Sequence, residues 1–533
     1  IINNISIQNL KIPVIDIFAG PGGLGEGFSS VWENEKKVFD IKLSIEKEEN
    51  AHKTLLFRSF FRQFAKNELP DAYYDVLKEE NLGKREEKMK DLFDAYPKEY
   101  RIASAETWKA ELGSEKFPED LIDQRIQNGI DKNRDWVLIG GPPCQAYSLA
   151  GRSRVGGIDK SDHRVYLYRQ YLRIIAKFHP KVFVMENVKG LLSAKVGKES
   201  VFDWIKRDLN DPSKLFPEFD SPTYKVYSLS TAPETFSING NPIYAKDSDF
   251  LIKSEEFGVP QKRHRVILLG IRQDLEEEPG VLTKCEAPIK LKAVIGDLPK
   301  IRSGLNRKFV RSYTASGKKK RVYEKVNDDF DTWHHLVSGY KYMIQSWNGF
   351  EKSKQHQEIG ALDIGSEFVP CKTPSSKNPL YTWYMDPKLN GACNHISRSH
   401  LTQDLMRYQF SSLYAEKHKR FPRLNEYTQH SSELMPDHKS ADTGKFADRF
   451  RVQLPDEPAT TVTSHISKDG HYFIHYDSDQ CRSLTVREAA RIQTFPDNYL
   501  FCGSRTAQFH QVGNAVPPYL AYQIANIVKK LVQ

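Results

Sequence analysis

The sequence predicts an α/β fold with a doubly wound, mostly parallel sheet and a second, loop-rich domain. Three observations support this prediction. Apolar runs bounded by turn residues recur along the first half of the chain, helical stretches such as 166–178 separate several of them, and the alternation fades after about residue 285. The predicted strands are 12–18, 41–45, 136–139, 182–185 and 266–271.

The length of the chain predicts more than one domain. Its 533 residues, 39% of them hydrophobic, exceed what one ordinary core accommodates. We expect a first domain at 1–284, interrupted at about 54–134 by an insertion whose mixed charges are typical of solvated helices. Residues 285–476, aromatic and basic, form the predicted second domain, and 477–533 form a hinge and a return to the first.

Charge and cysteine content narrow the class of protein. The 78 basic and 69 acidic residues give a net charge of +9, a mild excess that favours a polyanionic partner. No apolar run approaches the roughly 20 residues that span a bilayer, and the first residues do not resemble an export signal. The six cysteines form no C-x-x-C pair and no zinc-like cluster, so we expect no metal and a cytoplasmic location.

A glycine-rich turn follows the first predicted strand. Gly20-Pro21-Gly22-Gly23-Leu24-Gly25 satisfies G-x-G-x-x-G and opens a predicted helix, and Glu46 ends the next strand, where an acid can bind ribose hydroxyls. The pattern predicts a site for an adenosine-containing ligand. Taken alone it fits NAD, S-adenosylmethionine or a tight structural turn equally well.

A second candidate segment follows the strand at 136–139. It places Cys144 at the carboxyl edge of the sheet, where open sheets bind ligands, and Pro142 and Pro143 stiffen the approach to it. The next residues have the glycines of a mobile flap and arginines that could contact phosphates, although a solvated loop would look the same. The flap residues are Gly151, Arg152, Ser153 and Arg154.

From Asp16 to its C-terminal end the chain resembles the bacterial DNA cytosine-5 methyltransferases, with six sequence blocks in that family's order. The resemblance implies a class I methyltransferase (Rossmann-like) catalytic domain and a target-recognition domain at 285–476. It also implies S-adenosylmethionine as cofactor, S-adenosylhomocysteine as product and double-stranded DNA as substrate. We expect a monomer on DNA that serves restriction-modification or phage-defence self-marking. The blocks are 16–23 (DIFAGPGG), 142–145 (PPCQ), 186–188 (ENV), 261–265 (QKRHR), 482–497 (RSLTVREAARIQTFPD) and 511–518 (QVGNAVPP).

The resemblance assigns catalytic roles to five residues. Cytosine C5 is a poor nucleophile until a thiolate adds to C6, and Cys144 would supply that thiolate. Glu186 would assist at N3 as electrons move toward it, and Arg265 would bind O2. Arg263 would brace the site and Gln261 would support its loop. No residue identifies itself as the base that removes the C5 proton.

The resemblance also implies a set of cofactor contacts. Phe18 would lie against the adenine, the loop glycines would admit the methionine part, and Glu46 would hold the ribose. Glu106 is the candidate for a further acid at the adenine, with Asp123 and Asp131 behind it. The implied cofactor-binding residues are Phe18, Ala19, Gly20, Gly22, Gly23, Glu46, Pro142, Asn514, Ala515 and Val516.

A cytosine in a duplex must be flipped out to reach a thiolate, so the enzyme needs contacts to both strands. Two other functions stay open: a tRNA cytosine-5 methyltransferase, and an inactive DNA-binding relative. The large second domain argues against the first, and the presence of Cys144 and Glu186 argues against the second. The candidate DNA contacts are Arg302, Arg307, Lys308, Lys318, Lys319, Lys320 and Arg321.

Overall fold

A mixed, eight-stranded sheet carries the first part of the chain. The structure is a computed structural model that describes residues 11–65, 68–130, 135–143, 163–316, 318–347, 350, 360–372, 374–435 and 450–533. The sheet strands are β1 (Ile12–Ile17), β2 (Phe39–Glu46), β3 (Thr107–Lys109), β4 (Val137–Gly140), β5 (Val182–Val188), β6 (Tyr224–Ser228), β7 (Leu251–Lys253) and β8 (His264–Arg272).

The strand order is β6-β8-β5-β4-β1-β2-β3, with β7 paired to the end of β8. Strands β3, β2, β1, β4 and β5 run parallel, whereas β8 runs antiparallel to β5, β6 and β7. The carboxyl ends of β1, β2, β4 and β5 therefore meet at one edge, the usual ligand-binding edge of such sheets.

Helices cover both faces of the sheet. Ile15 and Ile17 of β1 belong to one apolar cluster, together with residues of α6, α7 and α8. Val14 belongs to a second cluster, with α1 and the C-terminal helix α16. The doubly wound α/β prediction is confirmed. The helices of this part are α1 (Gly23–Ser29), α2 (Glu49–Arg62), α3 (Asp71–Lys78), α4 (Leu82–Ala95), α5 (Pro97–Glu106), α6 (Glu119–Gly129), α7 (His163–Phe178) and α8 (Val201–Asn210).

All five predicted strands are present, and their ends agree with the structure to within three residues. Their continuous apolar runs are typical of strands covered on both faces. The sequence analysis did not identify β3, β6 and β7. Strands β3 and β7 have three residues each, too few for a hydrophobic pattern to emerge.

The charged insertion packs against the second part of the chain as well as against the sheet. Side chains of α2 and α3, including Phe57 and Tyr73, share an apolar cluster with Phe368 and Cys393. Arg85 of α4 is buried and donates to Glu367 at 2.9 Å. Mixed charges predicted solvated helices, yet these helices bury one apolar side against distant segments that sequence patterns do not reveal.

The region 285–476 contains two long helices, α10 and α12, which the sequence analysis did not predict. Helix α12 is buried around most of its circumference, so it lacks the one-sided apolar pattern that indicates a helix. The remaining helices are α9 (Leu291–Ile295), α10 (Phe330–Gln345), α11 (Tyr381–Tyr384), α12 (Thr402–His418), α13 (Leu424–His430), α14 (Val486–Ile492), α15 (Arg505–Asn514) and α16 (Pro518–Val532). The region also contains two longer antiparallel strand pairs, the hairpin of β9 (Arg307–Ala315) with β10 (Lys318–Lys325), and β11 (Gly365–Pro370) with β12 (Gly391–Ile396).

Within the described ranges, no helix is long and apolar enough to cross a membrane. The same part of the chain contains no group of three or more His, Cys, Asp or Glu side chains arranged to hold a metal ion.

Candidate functional site

The glycine-rich turn connects β1 to α1 at the carboxyl edge of the sheet. Phe18 adopts a left-handed backbone conformation (φ 57°), and Gly20 and Gly22 have φ values of 59° and 95°. The Gly20 N–H donates to Glu46 Oε2 at 2.8 Å. A strained non-glycine residue of this kind persists only where its surroundings hold it in place, and such residues cluster at functional sites.

The C-terminal segment closes directly over this turn. A Cβ atom on Gly23 would lie 2.1 Å from the Val516 carbonyl oxygen, so no larger residue fits at this position. The Tyr499 hydroxyl donates to the Pro21 carbonyl from the other side. The structure thus brings together Gly23 and Val516, two of the predicted cofactor-binding residues.

Glu46 lies at the end of β2, almost fully buried beside the turn. Its Oε1 accepts from the Glu48 N–H at 2.7 Å, in addition to the Gly20 contact through Oε2. Burial raises the pKa of this carboxyl. Glu46 is therefore fixed in position against the glycine turn, where a carboxylate can accept hydrogen bonds from vicinal hydroxyls.

Asp16 is a buried carboxyl beneath the turn that the sequence analysis used only as part of a motif. Neither of its oxygens makes a hydrogen bond of good geometry within the described residues, and the side chain is fully buried. Burial raises its pKa to about 8, against the opposing effect of nearby Arg62. In the sequence, the only indication of this buried carboxyl is that one Asp occurs within an apolar run.

Glu186 and Arg265 meet at the same edge, on the antiparallel neighbours β5 and β8. Arg265 Nε lies 2.8 Å from Glu186 Oε1, and both side chains are mostly buried but open at one side. A Cβ atom on Gly141 would lie 3.0 Å from Glu186 Oε2. The carboxylate therefore borders the backbone that runs from β4 into Pro142 and Pro143.

Gln261 and Arg263 join this edge to the C-terminal segments. Gln261 is fully buried and accepts from the Val462 N–H at 2.6 Å, while its amide donates to Gln493 at 2.9 Å. Arg263 is also buried and donates to the carbonyls of Val462 at 2.8 Å and Gly513 at 3.3 Å. These contacts support the predicted bracing roles, because they join segments distant in sequence around Arg265.

Glu106 and Asp123 have internal partners rather than open positions. Glu106 ends α5 and thus lies at the amino end of β3, where it accepts from Ser59 at 2.6 Å and Arg62 at 2.8 Å. Asp123 pairs with Arg173 at 2.7 Å. The ligand edge lies at the other end of these strands, so neither position favours the predicted adenine contact.

Glu111 is an acid that the sequence analysis missed. The register pairs Lys109, the last residue of β3, with Glu46, and Glu111 follows two residues later beside Lys47. The side chain of Glu111 is 39% exposed, so an acid stands near the ribose candidate with its carboxylate accessible.

Some predicted residues lie outside the described ranges, namely Cys144, the flap residues Gly151, Arg152, Ser153 and Arg154, and Asp131. In the segment that follows β4, the described residues end at Pro143, one residue before the predicted nucleophile. Pro142 in this segment is buried. Asn514 ends α15 and is exposed, with its amide 3.4 Å from the His510 ring. Ala515, the next residue, is buried.

The basic residues of the second region divide into two groups. Arg302 is buried and pairs with Asp328 at 2.6 Å, so the expectation that it contacts DNA is wrong for this conformation. Arg307, Lys308, Lys320 and Arg321 are exposed on the β9–β10 hairpin. A charge run in a sequence does not distinguish a buried ion pair from an accessible surface.

Comparison with known proteins gives one family. The model of the C-5 cytosine-specific DNA methylases matches residues 94–530. The chain is 34% identical to the type II methyltransferase M.Bpa9945I of Bacillus paralicheniformis, over 97% of this chain and 99% of that protein. It is 26% identical to the DNA (cytosine-5-)-methyltransferase M.ApeKI of Aeropyrum pernix, over 76% of this chain and 82% of that protein.

Among solved structures, the chain is similar to that of a candidate DNA modification methyltransferase encoded within an E. coli prophage. The TM-score is 0.51, with 18% sequence identity and coverage of 98% of this chain and 99% of the other. At this level of identity the similarity establishes the fold, that of a class I methyltransferase, and nothing about substrate.

Proposed function

The chain belongs to the C-5 cytosine-specific DNA methylase family and is a DNA (cytosine-5-)-methyltransferase, and from this premise we propose the following mechanism and role. The enzyme flips a target cytosine out of duplex DNA, attacks its C6 with Cys144 and methylates C5. The duplex stacks the base away from any side chain, so extrusion must come first, at a cost of a few kcal/mol.

The observation that carries the mechanism is the Glu186–Arg265 pair beside Gly141. It offers a proton-sharing carboxyl and a cation side by side, next to the backbone that leads to Cys144. Cytosine N3 and O2 are neighbouring atoms, so one base can meet both groups at once. Negative charge that develops on the ring during attack at C6 would be stabilised by both.

The residues around the glycine turn fit S-adenosylmethionine. The glycines leave the backbone of the turn without side chains, so a ligand can approach it closely, and Glu46 supplies a fixed carboxylate for ribose hydroxyls. Phe18 would pack on the adenine, with Ala19 and Pro142 near it, and Asn514 to Val516 would close the site. When bound, the cofactor supplies the methyl group that cytosine C5 accepts.

The chain's own residues would then carry the remaining steps. The Cys144 thiolate forms a bond to C6, which makes C5 nucleophilic, while Glu186 shares a proton with N3 and Arg265 holds O2. Gln261 and Arg263 keep this edge in place. Loss of the C5 proton lets Cys144 leave by elimination, which restores the aromatic base.

We also propose how the protein contacts DNA and which biological role it serves. The flap 151–154 would close on the phosphates behind the flipped base, and 285–476 would serve as the target-recognition domain between the catalytic parts 1–284 and 477–533. The type II relatives support a role in restriction-modification, with the protein as a monomer on DNA.

A trapping experiment tests the proposal. The purified protein is incubated with tritiated S-adenosylmethionine and duplex DNA in which 5-fluorocytosine replaces cytosine, since fluorine at C5 blocks the final proton loss. We expect a covalent protein-DNA adduct that is absent in Cys144→Ala, and label at cytosine C5 with ordinary DNA.

The matched control is Cys285→Ala, which removes a partly exposed cysteine whose thiol lies against the Glu255 carbonyl, and it should retain the adduct. An adduct that persists in Cys144→Ala would overturn the nucleophile assignment. Transfer to tRNA without transfer to DNA would identify the RNA enzyme, and DNA binding without any transfer would identify an inactive reader.

A further inference from the structure

The β9–β10 hairpin concentrates the positive charge of the chain. Residues 307–325 contain eight Lys or Arg and one Glu, whereas the whole chain has 78 basic and 69 acidic residues. We call this segment the basic hairpin. Its strands pair antiparallel from Arg307–Lys325 to Ala315–Lys318.

The base of the basic hairpin is anchored to the second region. Gln403 of α12 accepts from the Phe309 N–H at 3.1 Å and donates to its carbonyl at 2.9 Å. Phe309 packs edge-to-face on Tyr323, and the Arg307 guanidinium lies 4.7 Å from the Tyr323 ring centre. This anchor matters because an isolated two-stranded ribbon is marginally stable in water.

The outer half of the basic hairpin presents polar and cationic side chains to solvent. Arg311, Tyr313, Lys320 and Arg321 are exposed, and 47% of Tyr313 is accessible. The register pairs Tyr313 with Lys320 and Arg311 with Val322, so Arg311, Tyr313 and Lys320 share one face. The hairpin therefore offers cations around an accessible aromatic ring.

The ladder of the basic hairpin contains one opposite-charge pair, Lys308 with Glu324, and next to it one like-charge pair. Arg307 lies directly opposite Lys325 in the ladder, and like charges in that position destabilise a strand pair. A polyanion bound along the hairpin would offset this repulsion. The major groove of duplex DNA admits a two-stranded ribbon, with phosphates on both sides of it.

We infer that the basic hairpin is an arm that binds the phosphate backbone of duplex DNA, supplying affinity without reading bases and without taking part in chemistry. The inference rests on the proposed function only in taking DNA as the partner. Lys308, Arg311, Lys320 and Arg321 make the phosphate contacts. Each contact releases a counterion, so binding depends on salt in proportion to their number.

The test uses the full-length protein with Lys308, Arg311, Lys320 and Arg321 changed together to Gln. The matched control changes four exposed lysines of the helical insertion to Gln, namely Lys78, Lys84, Lys90 and Lys98. Binding to a short duplex of mixed sequence is measured by fluorescence anisotropy from about 50 to 200 mM salt. We expect the slope of log affinity against log salt to fall in magnitude by about 3.6, since each of the four lost phosphate contacts removes about 0.9.

A second measurement separates affinity from chemistry. The single-turnover methylation rate on saturating mixed-sequence plasmid DNA should be unchanged in the hairpin variant. A slope equal to that of the control variant would overturn the inference. A changed preference among methylated sequences would identify a base reader instead, and selective loss of duplex RNA binding would identify a different partner.

Failure of the proposed function would look different. Suppose that no nucleic acid were methylated but the salt slope still fell in the hairpin variant and not in the control variant. This result would support DNA binding by the basic hairpin and contradict the proposed enzymatic mechanism. An active enzyme with an unchanged slope would refute only the arm.

Discussion

Two of the arginine–carboxylate pairs that the sequence blocks form, Arg482–Glu488 and Arg265–Glu186, differ in how completely their atoms are satisfied. Arg482 and Glu488 are 1% exposed and bonded in parallel, with Nη1 and Nη2 each 2.7 Å from a carboxylate oxygen. The Thr485 N–H also donates to Glu488 at 2.7 Å. Arg265 meets Glu186 through Nε alone within the described residues, and their side chains are 17% and 14% exposed.

The difference separates a structural pair from a functional one. Glu488 accepts three hydrogen bonds, lies 3.5 Å from the His475 ring and is 1% exposed, so the pair stabilises the packing around α14 and is closed to a ligand. Glu186 keeps an oxygen directed toward Gly141 and the open edge. An unsaturated pair at the ligand edge of a sheet can exchange its contact for a substrate, whereas a saturated one cannot.

The largest expected effect is on catalysis, in Glu186→Gln. The amide keeps the shape of the side chain but cannot share a proton with N3, so single-turnover methyl transfer should fall by about 10²- to 10⁴-fold. Thermal stability should stay close to that of the wild type. Activity within a few fold of wild type would remove Glu186 from the mechanism.

In Glu488→Gln we expect a loss of stability rather than of catalysis, because the substitution leaves a buried arginine without its charge partner. The free energy of unfolding, measured with urea, should be about 3–5 kcal/mol lower than that of the wild type. Glu286→Gln, at an exposed position, is the control and should change little. A Glu488→Gln variant as stable as the wild type would contradict the structural role assigned to the Arg482–Glu488 pair.

The decrease in the free energy of unfolding at low pH provides a further test of the role of Glu488. Arg482 holds the pKa of Glu488 well below its usual range despite the opposing effect of burial. Its contribution is therefore present above the unfolded-state pKa of about 4.3 and is lost as pH falls below it. Wild-type stability should decline more steeply below about pH 4 than that of Glu488→Gln.

Arg265→Lys gives a smaller effect and tests geometry rather than charge. Lysine keeps the cation but loses the planar donors of guanidinium, and we expect a loss of about 100-fold in kcat with unchanged folding. The same substitution at Arg482 should lower stability instead. Equal losses of stability at both positions would contradict the distinction between the pairs.

A final comparison concerns Asp16, a buried carboxyl that has no arginine in direct contact among the described residues. Its folded pKa of about 8 lies above the unfolded value, so it stays protonated in the fold. Wild-type stability should therefore fall between about pH 4 and pH 8, by about 1 kcal/mol per pH unit, and level off above that range. Asp16→Asn should lack this decline in urea unfolding measured across pH; parallel pH profiles would contradict it.

The strands and the glycine turn could be predicted because their signals are local. Apolar runs indicated β1, β2, β4, β5 and β8 to within a few residues, and the turn has positive φ values at Gly20 and Gly22. The contact between Glu186 and Arg265 could not be predicted from spacing, since it depends on the antiparallel pairing of β5 with β8.

The second region shows where sequence patterns fail. Arg302 and Arg307 belong to the same basic stretch, yet one pairs internally with Asp328 and the other is exposed on the hairpin. Helix α12 was missed because it is buried on nearly all sides. Burial depends on segments far apart in the chain, which no local window contains.

The sequence by itself determined the family, the doubly wound sheet and the residue types at the site, because these follow from local composition and from ordered motifs. Only the tertiary structure decided which charged side chains can contact a ligand. Burial and pairing set whether a carboxylate is enclosed by its partners, as in Glu488, or open at one side, as in Glu186. They also bury Asp16 without a hydrogen bond of good geometry among the described residues. Those states depend on contacts made only when distant strands and helices pack together.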